Sequence, residues 1–211
     1  MEYVIIAVFS YLIGSFPTAY LLLKKTKGIN ITENGSKNIG AFNSYEVTES
    51  KFTGFLVFII DAAKGMLAVF TANLFFGNEF LISVTAVFFA VLGHCYIPWL
   101  KFRGGRGIAT GFGGAILFAY PVLVLWVVFW IAAYLFRKNI HFANIAATIL
   151  TGAIALVNND ILNKYNRVPA KEDWIFGVAV AAVMLLIMSK HIEPFKEWFF
   201  GQRRNIGGNK K

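Results

Sequence analysis

Long apolar runs separated by short polar segments dominate the chain, and the lengths of the runs decide the elements. A helix needs about 20 apolar residues to cross the hydrocarbon core of a bilayer. On that scale the first span runs Tyr3–Leu23, the second Thr53–Phe76, and the third Phe80–Leu100 after the short turn Gly77-Asn78-Glu79. The apolar stretch Gly107–Phe136 is too long for one ordinary span, and Pro121 divides it. Proline lacks the N–H that a helix interior needs. A short, Gly-rich fourth helix is therefore expected over Ile108–Tyr120, tilted or shielded by its neighbours, and a fifth after Pro121. The sixth runs Phe142–Val157 and the seventh Trp174–Met188. The polar stretch Asn158–Asp173 reads as a loop with room for a short helix.

Composition agrees with this pattern. Hydrophobic residues make up 57% of the 211 and charged residues 15%, against about 45–50% and about 25% in soluble domains. Such a surplus exceeds one small core, so lipid has to cover part of it. The first run has no basic segment before it and no small-residue cleavage site after it, so it is expected to stay as a span. The whole of 1–211 is expected to be a single polytopic membrane domain.

Charge sets the expected orientation. Sixteen of the 20 Lys and Arg residues fall in Lys24–Phe52, Lys101–Arg106, Arg137–His141 and the tail from Ser189. Lys164, Arg167 and Lys171 lie on the other side, and Lys64 lies within a span. Cytoplasmic loops collect basic residues, which puts the N-terminus outside and the C-terminus in the cytoplasm. Five spans have the same parity as seven. The net charge of +9 is distributed as loop charge, without a basic stripe or zinc-finger spacing, so no nucleic acid is expected as a partner. The single Cys95 excludes an internal disulfide and a multi-cysteine metal site, and reads as a small buried apolar residue.

Two connections carry candidate chemistry. The first, Glu33 to Asn43, crowds Gly35, Ser36, Lys37, Asn38, Gly40 and Asn43 together. Glycine permits close backbone approach, and the N–H groups of such turns can cradle an anion. A flexible turn is the plainer reading. The second runs from Gly93 to Thr110 and places Lys101, Arg103 and Arg106 around Gly104, Gly105 and Gly107, just before a helix start. Fixed cations and orphan N–H groups at a helix start favour an anion, and the Arg fork suits phosphate. Topology alone explains Lys101 and Arg103, but it does not call for three glycines. His94 at the membrane edge is either a general base or a structural hydrogen-bond partner. Asp61 and Lys64, at i and i+3 within a span, share one helix face and read as an ion pair that shapes the site.

At these residues the chain resembles the acyl-phosphate-dependent glycerol-3-phosphate acyltransferases of the bacterial inner membrane, the PlsY family. Four features carry the resemblance over nearly the whole chain. They are Gly14-Ser15-Phe16-Pro17; Gly35-Ser36-x-Asn38-x-Gly40-Ala41-x-Asn43; Asp61-x-x-Lys64-Gly65; and Gly93-His94 through Gly107-Ile108-Ala109-Thr110. The resemblance implies an all-α integral membrane protein of seven helices, with cytoplasmic motif loops near 24–52, 101–106 and 137–141. It implies acyl transfer from acyl phosphate to the 1-hydroxyl of glycerol 3-phosphate, giving lysophosphatidic acid and phosphate, by a multi-pass monomer in lipid with no metal, no other cofactor and no acyl carrier protein. Ser36, His94 and Arg106 are expected to be catalytic. Lys37, Asn38, Gly40, Asn43, Lys101, Gly104, Gly105 and Gly107 are expected to bind substrate or phosphate.

The chain departs from the family pattern at several places. Lys37 replaces a glycine, Phe42 a threonine and Glu46 an arginine, while Asn30-Ile31-Thr32 stands for Asp-Ile-Arg. Arg106 replaces a lysine, His141 and Asn144 replace serines, and Arg203 aligns with a glutamate. These changes leave open a paralogue with another acceptor or donor, or an inactive lipid-binding protein. A channel or transporter is disfavoured by the scarcity of polar residues within the spans.

Overall fold

A computed structural model describes residues 1–193, 195 and 196. Of the basic tail counted above from Ser189 onward, Arg203, Arg204, Lys210 and Lys211 lie outside the described residues. The described chain is helical. Its first span is two helices, α1 (Glu2–Gly14) and α2 (Thr18–Lys27), parted at Ser15-Phe16-Pro17. Then come α3 (Ala41–Thr48), α4 (Lys51–Phe76), α5 (Phe80–Cys95), α6 (Ile108–Ala115), α7 (Tyr120–Arg137), α8 (Ile140–Val157), α9 (Asn159–Lys164) and α10 (Asp173–Ser189).

The break between α1 and α2 follows from Pro17, and its freed carbonyls are reused. Trp99 Nε1 donates to the Ser15 carbonyl at 3.0 Å, and Lys64 Nζ donates to the Phe16 carbonyl at 3.0 Å. Unpaired backbone carbonyls are costly at membrane depth. Trp99 pairs the Ser15 carbonyl, and Lys64 adds a second donor to the Phe16 carbonyl, which also accepts the Thr18 N–H at 3.0 Å.

Pro121 acts as expected. Helix α6 ends at Ala115, and α7 opens at Tyr120 with the proline in its first turn, where a missing N–H does no harm. The fourth segment is thus shorter than Ile108–Tyr120. Its 8 helical residues rise about 12 Å and cannot cross a bilayer alone. Among the described residues five stretches are long and apolar enough to cross: Glu2–Lys27, Lys51–Phe76, Phe80–Leu100, Tyr120–Arg137 and Ile140–Val157. Helix α10 has 17 residues and falls just short. The loop between α8 and α10 does contain a short helix, α9. The connection 24–52 is more ordered than a loop, since Lys24, Lys25 and Lys27 sit in the last turn of α2 and α3 lies within it.

Glycines let α6 sink into the bundle. A Cβ on Gly65 of α4 would collide with the Thr110 carbonyl, and one on Gly113 of α6 with the Ala62 carbonyl. Helix α1 crosses α5 equally closely, because a Cβ on Gly14 would strike the Ala90 carbonyl and one on Gly93 the Tyr11 carbonyl. Small residues at such crossings are how helices associate where lipid is as apolar as the side chains. By contrast α7 buries only Val122 fully, and its other residues are half-buried or exposed. It is held to α8 by Trp126 Nε1 donating to Thr148 Oγ1 (3.2 Å) and Trp130 Nε1 donating to Asn144 Oδ1 (2.7 Å).

Replacing Gly113 by Ala should push α6 off α4 and cost about 1–3 kcal/mol, read as a lower unfolding midpoint in detergent. An unchanged midpoint would contradict the close crossing.

Candidate functional site

The two Gly-rich connections meet at one end of the bundle. The Ile39 N–H donates to the Gly104 carbonyl at 3.4 Å, and the Gly105 N–H donates to the His94 carbonyl at 3.0 Å. Behind them opens a cavity of about 360 Å3, walled by Asn38, Gly40, Phe42, Asp61, His94, Arg106, Gly107, Trp130, Asn144 and His191 among others. Five of the residues expected from the sequence, Asn38, Gly40, His94, Arg106 and Gly107, therefore share one chamber.

The glycines of the second connection seat His94. A Cβ on Gly104 would strike the carbonyls of His94 and Cys95, and one on Gly105 would strike the His94 imidazole. Both glycines are buried, and they support the histidine without lining the cavity. The other face of His94 meets Asp61, with Nδ1 3.7 Å from Oδ1. Lys64 Nζ lies 2.9 Å from that same oxygen. Asp61, Lys64 and His94 are 2%, 6% and 3% exposed, so an ion pair on α4 and a histidine on α5 form one buried polar group. Neither Asp61 Oδ1 nor His94 Nδ1 has a well-aligned hydrogen bond among the described residues. Catalytic contacts are often long before substrate arrives.

Asn43, expected to contact substrate, holds the first connection in shape. It is fully buried, and it accepts the Ser36 N–H at 2.9 Å while donating to the carbonyls of Asn34 (3.2 Å) and Asn38 (2.9 Å). Both of its N–H groups and its carbonyl oxygen brace the first connection, and it is Asn38 that reaches the cavity wall. The turn so held includes Gly35 and Lys37 at positive φ. A Cβ on Gly35 would collide with Asn43 Oδ1, so the glycine is needed at that spot. Ser36, Lys37 and Lys101 are exposed and lie outside the wall.

The departures from the family pattern fall unevenly around the chamber. Glu46 is exposed and not part of the wall, so its carboxylate does not reverse the charge of the cavity itself. Phe42, Arg106 and His141 come together instead. Arg106 Nη1 is 3.1 Å from His141 Nδ1, and the Phe42 ring meets His141 edge-on with centroids 6.0 Å apart. An arginine can only donate, so in this contact His141 Nδ1 is the acceptor. Asn144 gives its carbonyl oxygen to Trp130, which leaves its NH2 as the donor end.

His191 was not singled out in the sequence, although a histidine just beyond the last apolar helix was the available signal. It is fully buried at the cavity. Its Nδ1 lies 2.9 Å from the Ile187 carbonyl, which can only accept. Nδ1 therefore carries the proton, and Nε2 is a buried acceptor with no partner among the described residues. Burial, opposed by that carbonyl contact and helped by nearby Arg106 and His141, lowers its pKa to about 4. Among the described residues no cluster of three His, Cys, Asp or Glu side chains could hold a metal ion.

A second, narrow and apolar cavity adjoins the first and shares Ile108, Phe112 and Trp126 with it. It runs between α5, α6, α7 and α10, and its walls carry almost no polar atoms. The site thus joins a cation-bearing chamber to a hydrocarbon-like slot, an arrangement that fits a molecule with an anionic head and an apolar tail.

Comparison with known proteins gives a consistent result. A family model described as glycerol-3-phosphate acyltransferase matches residues 4–201. A glycerol-3-phosphate acyltransferase from the Wolbachia pipientis strain of Culex pipiens is 38% identical, covering 98% of this chain and 100% of that one. One from Carboxydothermus hydrogenoformans is 35% identical, covering 98% of each chain. Among solved structures, the glycerol 3-phosphate form of PlsY, an integral membrane glycerol 3-phosphate acyltransferase, superposes with a TM-score of 0.76 at 27% identity, covering 95% of this chain and 94% of that one. Its lysophosphatidic acid form superposes with a TM-score of 0.74.

The neutral state of His191 makes a prediction with a definite sign. An unfolded histidine takes up its proton near pH 6.5, whereas the folded one resists until about 4. The contribution of His191 to stability is therefore complete above the upper value and lost on acidification through that window, by at most about 3 kcal/mol. His191→Gln should flatten the acid side of the unfolding-midpoint profile in detergent. An identical slope in both proteins would contradict the assignment.

Proposed function

The chain belongs to the glycerol-3-phosphate acyltransferase family, and on that premise we propose that it uses acyl phosphate as donor in the chamber between its two Gly-rich connections. It is a multi-pass membrane acyltransferase of phospholipid biosynthesis that acylates glycerol 3-phosphate. The observation that carries the proposal is that the Arg106 chamber and the apolar slot lie side by side, sharing Ile108, Phe112 and Trp126 in their walls.

Both substrates are anions, and the chamber meets them with the Arg106 guanidinium, the Asn38 and Asn144 amides and the α6 start at Gly107. The 1-hydroxyl oxygen of glycerol 3-phosphate attacks the acyl carbonyl carbon. A new C–O ester bond forms, the bond from that carbon to the phosphate oxygen breaks, and inorganic phosphate leaves. The hydroxyl proton departs on the phosphate or passes through His94. An acyl phosphate is already activated, so positioning and charge stabilisation are the main requirements. His94 is nearly buried and backed by Asp61, which suits orientation of the hydroxyl. Ser36 and Lys37, exposed and away from the cavity wall, together with Lys101, are suited to drawing anions towards the chamber.

The same reading gives a topology. Helices α6 and α10 complete seven crossings, with the N-terminus outside and the three motif connections and C-terminus in the cytoplasm. The protein works as a monomer in the bacterial inner membrane, and its excess of basic residues on one side supports that orientation.

The test is transfer by purified protein in detergent or lipid, with a long-chain acyl phosphate and labelled glycerol 3-phosphate. Wild type should form lysophosphatidic acid, and Arg106→Ala should lose about 100-fold or more in kcat/KM. No product from a folded wild type, or full activity in the variant, would overturn the proposal.

A further inference from the structure

From the far end of the apolar slot, we infer that Phe118 is the wall that sets the longest acyl chain the enzyme accepts. This rests on the reading of the slot as the place of the donor's acyl tail. The slot begins at Ile108, two residues beyond Arg106, and follows α6 past Gly111 and Ala115 to Phe118, Ala119 and Val122. Its near end is shared with the polar chamber and its far end is closed. Phe118, Ala119 and Val122 are 2%, 2% and 4% exposed.

The closed end is also the firmest part of the slot. The Phe118 ring packs edge-on against Phe80 with centroids 5.8 Å apart, and Phe80 packs against Phe176 at 5.7 Å. The Phe118 carbonyl accepts the Val168 N–H at 3.3 Å, which ties the wall to the loop after α9. The side formed by α7 is different, since that helix packs along α8 and touches α6 little. A tail can enter through a side that is lightly held, whereas an end built from three interlocked aromatic rings stops it.

The depth suits a membrane lipid tail. Phe80, which touches the wall, and His94, which lines the chamber, stand at opposite ends of α5. At 1.5 Å per residue they are roughly 20 Å apart. Each leaflet of a hydrocarbon core about 30 Å thick holds tails of about 15 Å. That distance spans chamber and slot together. The slot itself follows α6 from Ile108 to Phe118, roughly 15 Å at helical rise, so it matches about one leaflet, and each methylene it buries is worth about fourfold in affinity. A methylene that meets Phe118 gains nothing and has to displace a packed ring.

The test is kcat/KM over a series of saturated acyl phosphates of increasing length. In wild type the value should rise about fourfold per added methylene up to a cut-off and fall beyond it. Phe118→Ala should move the cut-off about two to four carbons longer, by opening the volume of a ring. Ala115→Leu, which fills the slot one step nearer the chamber, should move it shorter by a similar amount. If Phe118→Ala does not fold, Ala115→Leu decides alone. Thermal stabilisation by alkyl phosphonates of the same lengths reads the cut-off without turnover. An inactive wild type would then sink the acyl-transfer reading, while the phosphonate series still judges the wall. Folded variants with an unmoved cut-off, in turnover or in stabilisation, would overturn the inference.

Discussion

A charge buried at membrane depth has to be matched by another, and the Asp61–Lys64 pair on α4 is the match on which the rest of this protein depends. Lys64 does more than neutralise Asp61. Its ammonium also donates to the Phe16 carbonyl at the Pro17 break, beside the Thr18 N–H that the same carbonyl accepts, so Lys64 ties α4 to the break in the first span. On its other side Asp61 faces His94 across 3.7 Å. One buried group thus joins the α1–α2 break, α4 and the end of α5. Such a group is poor evidence for stability in itself, because desolvation offsets much of the attraction. Its effect here is positional, since it keeps polar atoms of three segments in register beside the cavity.

Glycine supplies the second constraint. The close crossings at Gly65, Gly113, Gly14 and Gly93 bring α1, α4, α5 and α6 near enough for that buried group to form. Gly104 and Gly105 then let the second connection lie directly on His94. Short α6 is the outcome of this crowding. It sits inside the bundle with its start at the polar chamber and its end at the aromatic wall, and so lies along both parts of the proposed substrate.

The long-range plan was legible in the sequence because it rests on strong, local signals. Apolar run length, Pro121 and the Gly14-Ser15-Phe16-Pro17 stretch announce spans and breaks. Spacing of i and i+3 announces the Asp61–Lys64 pair. The order of the glycine and basic motifs pointed to the family. The uses of individual side chains were less legible, since composition does not show direction. Asn43 has the chemistry of a ligand contact, yet its amide holds the backbone of Asn34–Asn38. Ser36 and Lys37 are exposed and away from the cavity wall because the turn carries them outward. His191 was missed because its value comes from burial and from its contact with Ile187, neither of which a single histidine in a sequence reveals. The reach of α6 was overestimated because apolarity continues through its exit turn as far as Tyr120.

The buried pair can be tested by a double-mutant cycle, with Asp61→Leu, Lys64→Met and the double variant followed by equilibrium unfolding in mixed micelles. Each single change should leave a bare buried charge and cost about 3–5 kcal/mol, and the double change should cost far less than the sum. Losses that simply add would show that the two residues act independently, and would contradict the account of how the site is held together.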